Sequence, residues 1–361
     1  MEDFDETTPP PLPLFSGAIN LKKFVLYSDA LASLDRFGFP NLTKFKLFVT
    51  PEDGFYASQL LNFLEASPAL QKVDMRIMAD IVFEGIPREK VVVLPDVETF
   101  HLSMTDGGPG YRIAAHISCP SARHTLITHD TFTDEMVTQE IFPSSVSWNA
   151  IVRQYSRSPV EEIALGTQID SGRTTTFSLT FRSSDTTVIE LGFEITANDR
   201  QDRGFLEDTH YKVFSRASKT IRDHPLLANV RRLHFDHNAY LFGATQRGLI
   251  ANQIGRIFKS VGPLEQLVIF GCDLRSYFIP FFDSPETEQP VTFPRVEELT
   301  VLHPLPASQK ACMSAIVGLA KSQYTLGVPF KRVAVYMTRL PKPMAEELGK
   351  WVETVRCSEG F

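Results

Sequence analysis

The chain has 361 residues, 43% of them hydrophobic and 22% charged, with a formal net charge of −7 and a pI of about 5.8. That balance suits a well-cored globular protein and gives no net attraction to phosphate backbones, so nucleic acid is not expected as a partner. There is no run of about 18 apolar residues, so no membrane-spanning helix is expected, and MEDFDETTPPPLPLF lacks the basic-then-apolar order of a signal peptide.

The N-terminal stretch 1–14 is acidic and proline-rich and reads as a disordered tail. PPPLP at 9–13 has the composition of a polyproline ligand, although an untethered tail is the commoner state of such a segment. From residue 15 to the end the chain reads as a single domain. Its first ordered stretch, NLKKFVL (20–26), places Phe24 and Leu26 three and five residues after Leu21. FPNLTKFKLFVT (39–50) repeats that spacing with a proline two residues ahead of Leu42. The same frame returns in PALQKVDM (68–75), PDVETFHL (95–102), PSARHTLI (120–127), PVEEIAL (159–165) and TVIELGF (187–193). It continues in NVRRLHF (229–235), PLEQLVI (263–269), PRVEELTV (294–301) and PFKRVAV (329–335). The first hydrophobics fall at 21, 42, 70, 97, 122, 160, 188, 230, 264, 296 and 330; most steps span 21 to 34 residues and two are longer.

A period of that size marks a solenoid, and the frame is that of the leucine-rich repeat, LxxLxL. Asn238 and Cys272 stand at the next repeat position in two copies, where a side chain can bond neighbouring backbone; other copies carry Thr50, Thr105, Asp29 or Gln168. The expected fold is α/β: an irregular leucine-rich-repeat solenoid with a curved parallel sheet and helices on the convex side. In each strand the three hydrophobics face the core and the residues between them face out. The proline suits the turn feeding each strand, because it fixes φ and requires no donor. One repeat cannot bury its own face, so neighbours must stack. Helical spacing predicts returning helices over 55–65, 145–156, 246–260 and 308–322, with 341–355 as a closing, capping helix. TTTFSLTFRSSDTTVIELGFEI (174–195) predicts a β-hairpin around RSSD whose second strand supplies the repeat near Val188. The stretch 131–158 and the helix-like 205–223 read as insertions.

FPNLTKFKL, SPALQKVDM, CPSARHTLITHD and the RSSD hairpin together resemble the leucine-rich region of F-box proteins, above all the divergent sets of mushroom-forming fungi. The likeness runs from about residue 12 to the end and rests mostly on hydrophobic spacing. It implies a substrate-capturing half of a ubiquitin-ligase receptor, whose F-box would bind a Skp-type adaptor. PLPLFSGAINLKKFVL already reads as the lead-in and strand of a repeat, so no F-box is recognisable before it, and adaptor binding carries over to no residue here. A Skp-type adaptor is expected only if a longer gene product supplies the F-box. The alternative is an orphan leucine-rich-repeat interaction domain with no ligase link.

No catalytic, cofactor or metal residues are expected. Cys119, Cys272, Cys312 and Cys357 are far apart and form no CxxC pair, which suits reduced thiols in the cytoplasm or nucleus. His124, His129 and Asp130 cluster in sequence without a further zinc ligand. The glycines of MTDGGPGYR (104–112) fit neither GxGxxG nor a phosphate loop and read as a loop bridging two repeats. GxSxG is absent.

The expected binding residues are the outward positions of the strands, facing an unidentified protein target. They run Lys44, Lys46 and Phe48, then Lys72, Asp74 and Arg76, then Thr99 and His101. Beyond a gap come Glu162, then Arg232, His234 and Asp236, then Gln266, Val268 and Phe270. Glu298, Thr300, Leu302, Arg332 and Tyr336 complete the series, basic at its start and mixed at its end.

Overall fold

The computed structural model describes residues 20–28, 39–50, 55–78, 81–105, 110–131, 158–170, 174–185, 187–196, 229–237, 253–258, 260–270, 293–303, 309–337 and 342–359, with 154–155, 211–212, 214–215 and 218. The tail 1–14, most of the two insertions, Asn238 and Cys272 lie outside them.

The protein is α/β, built on one 13-stranded, mostly parallel sheet. Its strands are β1 (Lys23–Ser28), β2 (Lys44–Val49), β4 (Lys72–Ile77), β7 (Thr99–Thr105), β9 (His124–Thr131), β10 (Val160–Asp170), β11 (Thr174–Ser183) and β12 (Val188–Thr196). They continue as β13 (Arg232–His237), β14 (Leu264–Phe270), β15 (Val296–His303), β16 (Arg332–Met337) and β17 (Thr354–Glu359). Four short strands make two parallel pairs apart from it: β3 (Phe55–Tyr56) with β5 (Ile81–Val82), and β6 (Val92–Val93) with β8 (Ile117–Ser118). The helices are α1 (Ala57–Glu65), α2 (Gly110–Ala115), α3 (Gln309–Thr325) and α4 (Lys342–Leu348), and residues 253–258 are also helical.

Each hydrophobic triplet of the sequence lies at or just before a strand of this sheet. In β2 the alternation is complete: Phe45, Leu47 and Val49 are fully buried while Lys44, Lys46 and Phe48 lie on the other face. Phe45, Val73 and Phe100 are consecutive register partners, as are Leu267, Leu299 and Val333. The prolines do local work at four entries. Leu42, Leu70, Val97 and Ala122 each donate a backbone N–H to the carbonyl three residues back, at 3.0, 3.4, 3.4 and 3.0 Å. Pro40, Pro68, Pro95 and Pro120 then occupy the second position of a β-turn, where a φ fixed near −65° is favoured.

Phenylalanine fills the space behind the sheet at both ends. Phe63 of α1 packs on Phe45 at 4.6 Å between ring centres, with Phe24 and Phe39 beside them. At the other end Phe235, Phe258, Phe293 and Phe330 form a chain of ring contacts at 5.6, 5.5 and 6.2 Å. Burying each such ring contributes about 2–3 kcal/mol.

The strand order departs from a simple stack in one place. Across the sheet it runs β1-β2-β4-β7-β9-β12-β11-β10-β13-β14-β15-β16-β17. The predicted hairpin is present as β11 and β12, paired antiparallel from Thr174↔Thr196 to Arg182↔Val188. Its second strand continues the parallel stack against β9. The first strand pairs with β10 on its other side, also antiparallel. The repeat at Val160 is thus displaced two strands away from β9, and its outer edge receives β13. A plain stack in chain order is corrected here, because β11 must lie antiparallel between its two neighbours in the chain.

The closing helix expected over 341–355 is also corrected. Helix α4 stops at Leu348, and the chain returns as β17 against β16. TVRCSE alternates by two, with Val355 and Cys357 packed toward the core, which a strand satisfies and a helix does not. Expected helices at 55–65 and 308–322 correspond to α1 and α3.

Candidate partner-binding face

The face of the sheet opposite the core carries the outward residues in register, so they form rows running across the strands. Neighbouring strands are about 4.8 Å apart, which sets the pitch of each row. On the N-terminal flank the first row begins Lys23, Lys44, Lys72. All three lysines are exposed, and among the described residues no carboxylate lies within ion-pairing distance of any of them. The second row pairs Lys46 with Asp74 at 2.7 Å, and this bond raises the lysine pKa. Asp74 neighbours His101, whose Nε2 lies 3.2 Å from Nδ1 of His124. Burial, then the neighbouring His124, lowers the His101 pKa, while Asp74 opposes the change. In the third row Tyr27, 75% exposed, stacks on Phe48 with ring centres 4.8 Å apart and planes within 5°. Arg76 stands beside Phe48 in register, also exposed.

On the C-terminal flank the signs alternate. Arg182, Glu162 and Arg232 are consecutive in the first row, with Glu162 bonded to Arg182 at 2.8 Å and to Arg232 at 3.7 Å. Glu298 meets Arg332 at 3.0 Å. One residue earlier in each strand a parallel series joins Arg231 to Glu265 and Lys331 to Glu297. His234 lies 4.0 Å from Glu162; burial lowers its pKa while the glutamate pulls the other way. Burial also raises the pKa of Asp236. Phe270, Leu302 and Tyr336 are register neighbours in the third row.

The expected residues therefore fall into two groups. Lys44, Lys46, Lys72, Asp74 and His101 share the N-terminal flank; Arg232, His234, Phe270, Leu302, Arg332 and Tyr336 share the other. Five strand steps separate β7 from β13, a span of about 24 Å. Between them the third row is small: Gly192, Ser178 and Gly166 are consecutive, and a Cβ at Gly166 would collide with the Ser178 hydroxyl. Three contributors escaped the sequence reading. Arg182 belongs to the cluster around Glu162 only because β11 lies beside β10. Tyr27 and Lys23 sit in a weak copy of the repeat; the alternation of KFVLYS was the available signal.

Among the described residues no three His, Cys, Asp or Glu side chains converge as a metal-binding set, and no helix is long and apolar enough to cross a membrane. Cys119 is buried, with its thiol pKa pushed up, and burial also raises that of Cys357. Neither thiol is poised as a nucleophile. The arrangement offers rows of charge, hydroxyl and aromatic groups on a broad face. The chain matches no known family model, no curated protein and no solved structure.

Proposed function

We propose that the chain is a non-enzymatic protein-recognition scaffold, an irregular leucine-rich-repeat solenoid whose exposed sheet face binds another protein. The observation that carries this is the contrast between the two faces of one sheet. One face is a continuous apolar core. The other presents in-register side chains over 13 strands, with exposed Tyr27 and Phe270 among them. Aromatic anchors on a broad polar face are what protein interfaces use. By resemblance, the partner is a substrate delivered for ubiquitin ligation, with adaptor binding supplied by an F-box outside this sequence.

The test is affinity purification of tagged chain from its native cells, with variants Tyr27→Ala and Phe270→Ala, followed by mass spectrometry. The reading expects a specific protein that both wild type and a core-neutral surface control retain and at least one face variant loses. A partner unaffected by either substitution would count against the face. Recovery of a Skp-type adaptor and a cullin separates the ligase-linked reading from the orphan interaction domain.

A further inference from the structure

Lys23, Lys44 and Lys72 are direct cross-strand neighbours on β1, β2 and β4, each the first residue of its strand. Like charges placed opposite one another destabilise a sheet. The same sheet avoids that on its other flank, where Arg182–Glu162–Arg232 and Glu298–Arg332 alternate in the same row. Nothing in the described residues neutralises the lysines, although the chain as a whole is acidic. Four residues further along the same strands, past the row that holds the Lys46–Asp74 pair, stand the stacked Tyr27–Phe48 pair and Arg76, so an aromatic surface lies about 13 Å from the cationic row on the same face, within reach of one extended peptide.

We infer that this corner of the sheet is a docking site for an acidic peptide segment of a partner protein, one carrying an aromatic or large apolar residue among its carboxylates. The carboxylates relieve the repulsion in the Lys23–Lys44–Lys72 row, and the apolar side chain covers the Tyr27–Phe48 stack. Charge complementarity is what selects this ligand: a strip of cations without counter-charge, on a protein of net charge −7, is matched by carboxylates. The inference rests on the reading of the exposed face as a recognition surface and narrows it to one flank and one ligand class.

The probe is a fluorescein-labelled synthetic peptide, Gly-Ser-Glu-Asp-Phe-Asp-Glu-Gly-Ser, titrated with the full chain by fluorescence polarisation. Binding is expected to weaken about tenfold or more in Lys44→Glu and in Lys72→Glu, and to persist in Lys44→Arg. It should fall as salt rises from about 50 mM to about 300 mM, and fall when the probe's acids become amides. Arg332→Glu, on the other flank, should change it less than about twofold. Far-UV circular dichroism and the thermal midpoint verify folding; Lys44→Gln replaces Lys44→Glu if the reversal fails to fold. No binding to the wild-type chain overturns the inference while leaving a partner on the rest of the face possible to detect by the purification above. Equal loss in Arg332→Glu overturns the assignment to this flank. The chain's own residues 2–6 are Glu-Asp-Phe-Asp-Glu. A gain of about tenfold or more on deleting residues 1–12 would overturn the partner assignment and give the site to that segment.

Discussion

The two flanks of the sheet share a backbone plan and differ in how they handle charge. Both stack parallel strands, both bury three apolar residues per strand, and both back the sheet with phenylalanine. Only the C-terminal flank neutralises its outward row, through Arg182–Glu162–Arg232 and Glu298–Arg332. The N-terminal flank pairs Lys46 with Asp74 and leaves the row above it uniformly basic. The core spacing determines that a sheet forms. The outward rows are free of that constraint, so a difference between them reflects something other than folding.

Substitutions in the core should erase the contrast. Phe45→Ala and Phe330→Ala each remove a fully buried ring and should cost about 3–5 kcal/mol in either flank, read from urea unfolding midpoints. Equal costs sharpen the view that the flanks are alike inside; a loss confined to one end would break it. Next comes the seam. Arg182→Ala leaves Glu162, with a side chain only 6% exposed, facing Arg232 at 3.7 Å and His234 at 4.0 Å. It should cost about 2 kcal/mol, and the Glu162→Gln background should reduce that cost.

At the hairpin turn, Asp185 accepts bonds from Ser183 Oγ at 2.6 Å, Thr187 N at 3.2 Å and Ser158 Oγ at 2.9 Å. These bonds, that of Ser183 first, hold its pKa down to about 2. Asp185→Ala should cost about 1–2 kcal/mol after allowance for solvent screening. Because the folded pKa is depressed, the contribution is present above the ordinary aspartate value of 3.8 and is lost as pH falls through about 2. His101 and His234 act in a higher window. Both are lowered from 6.5 by burial, so the unfolded chain binds protons more readily and stability declines as pH falls below 6.5. His101→Gln and His234→Gln, one per flank, should each flatten the unfolding midpoint measured between pH 7.5 and pH 5.

The smallest effect discriminates most between the flanks. Lys44→Glu inserts a carboxylate between Lys23 and Lys72 and should stabilise by a few tenths of a kcal/mol. Glu298→Lys, its counterpart, should destabilise by a similar amount. Thermal midpoints moving in the same direction for both would dissolve the comparison.

Much of the sheet was legible because hydrophobic alternation is a direct consequence of burial. Even the poorly apolar PSARHTLI became β9, with Ala122 and Ile127 buried. The hairpin at RSSD was equally readable, since Asp185 makes its turn locally. The placement of β10 was not: periodicity records which residues face the core, never which strand lies beside which. Hence Arg182 could not be joined to Glu162 in advance. Strand β17 was missed because MAEELGKWVETV carries both a helical and an alternating pattern, and local spacing did not decide where one yields to the other. The outward residues were identifiable by position, while their pairing depended on register and neighbours that only three dimensions supply.

The swapped order of β10 and β12 bears on how the molecule is assembled during synthesis. As the chain leaves the ribosome, β1 to β9 can zip together in succession, each against the last. Growth must then halt, for the next strand to emerge cannot add to the open edge. That edge waits for residues 188–196, and only after they arrive does β10 offer a platform for β13 onward. A nascent chain stalled near residue 180 would hold an uncapped β9, the moment at which it is most exposed to mispairing with another copy.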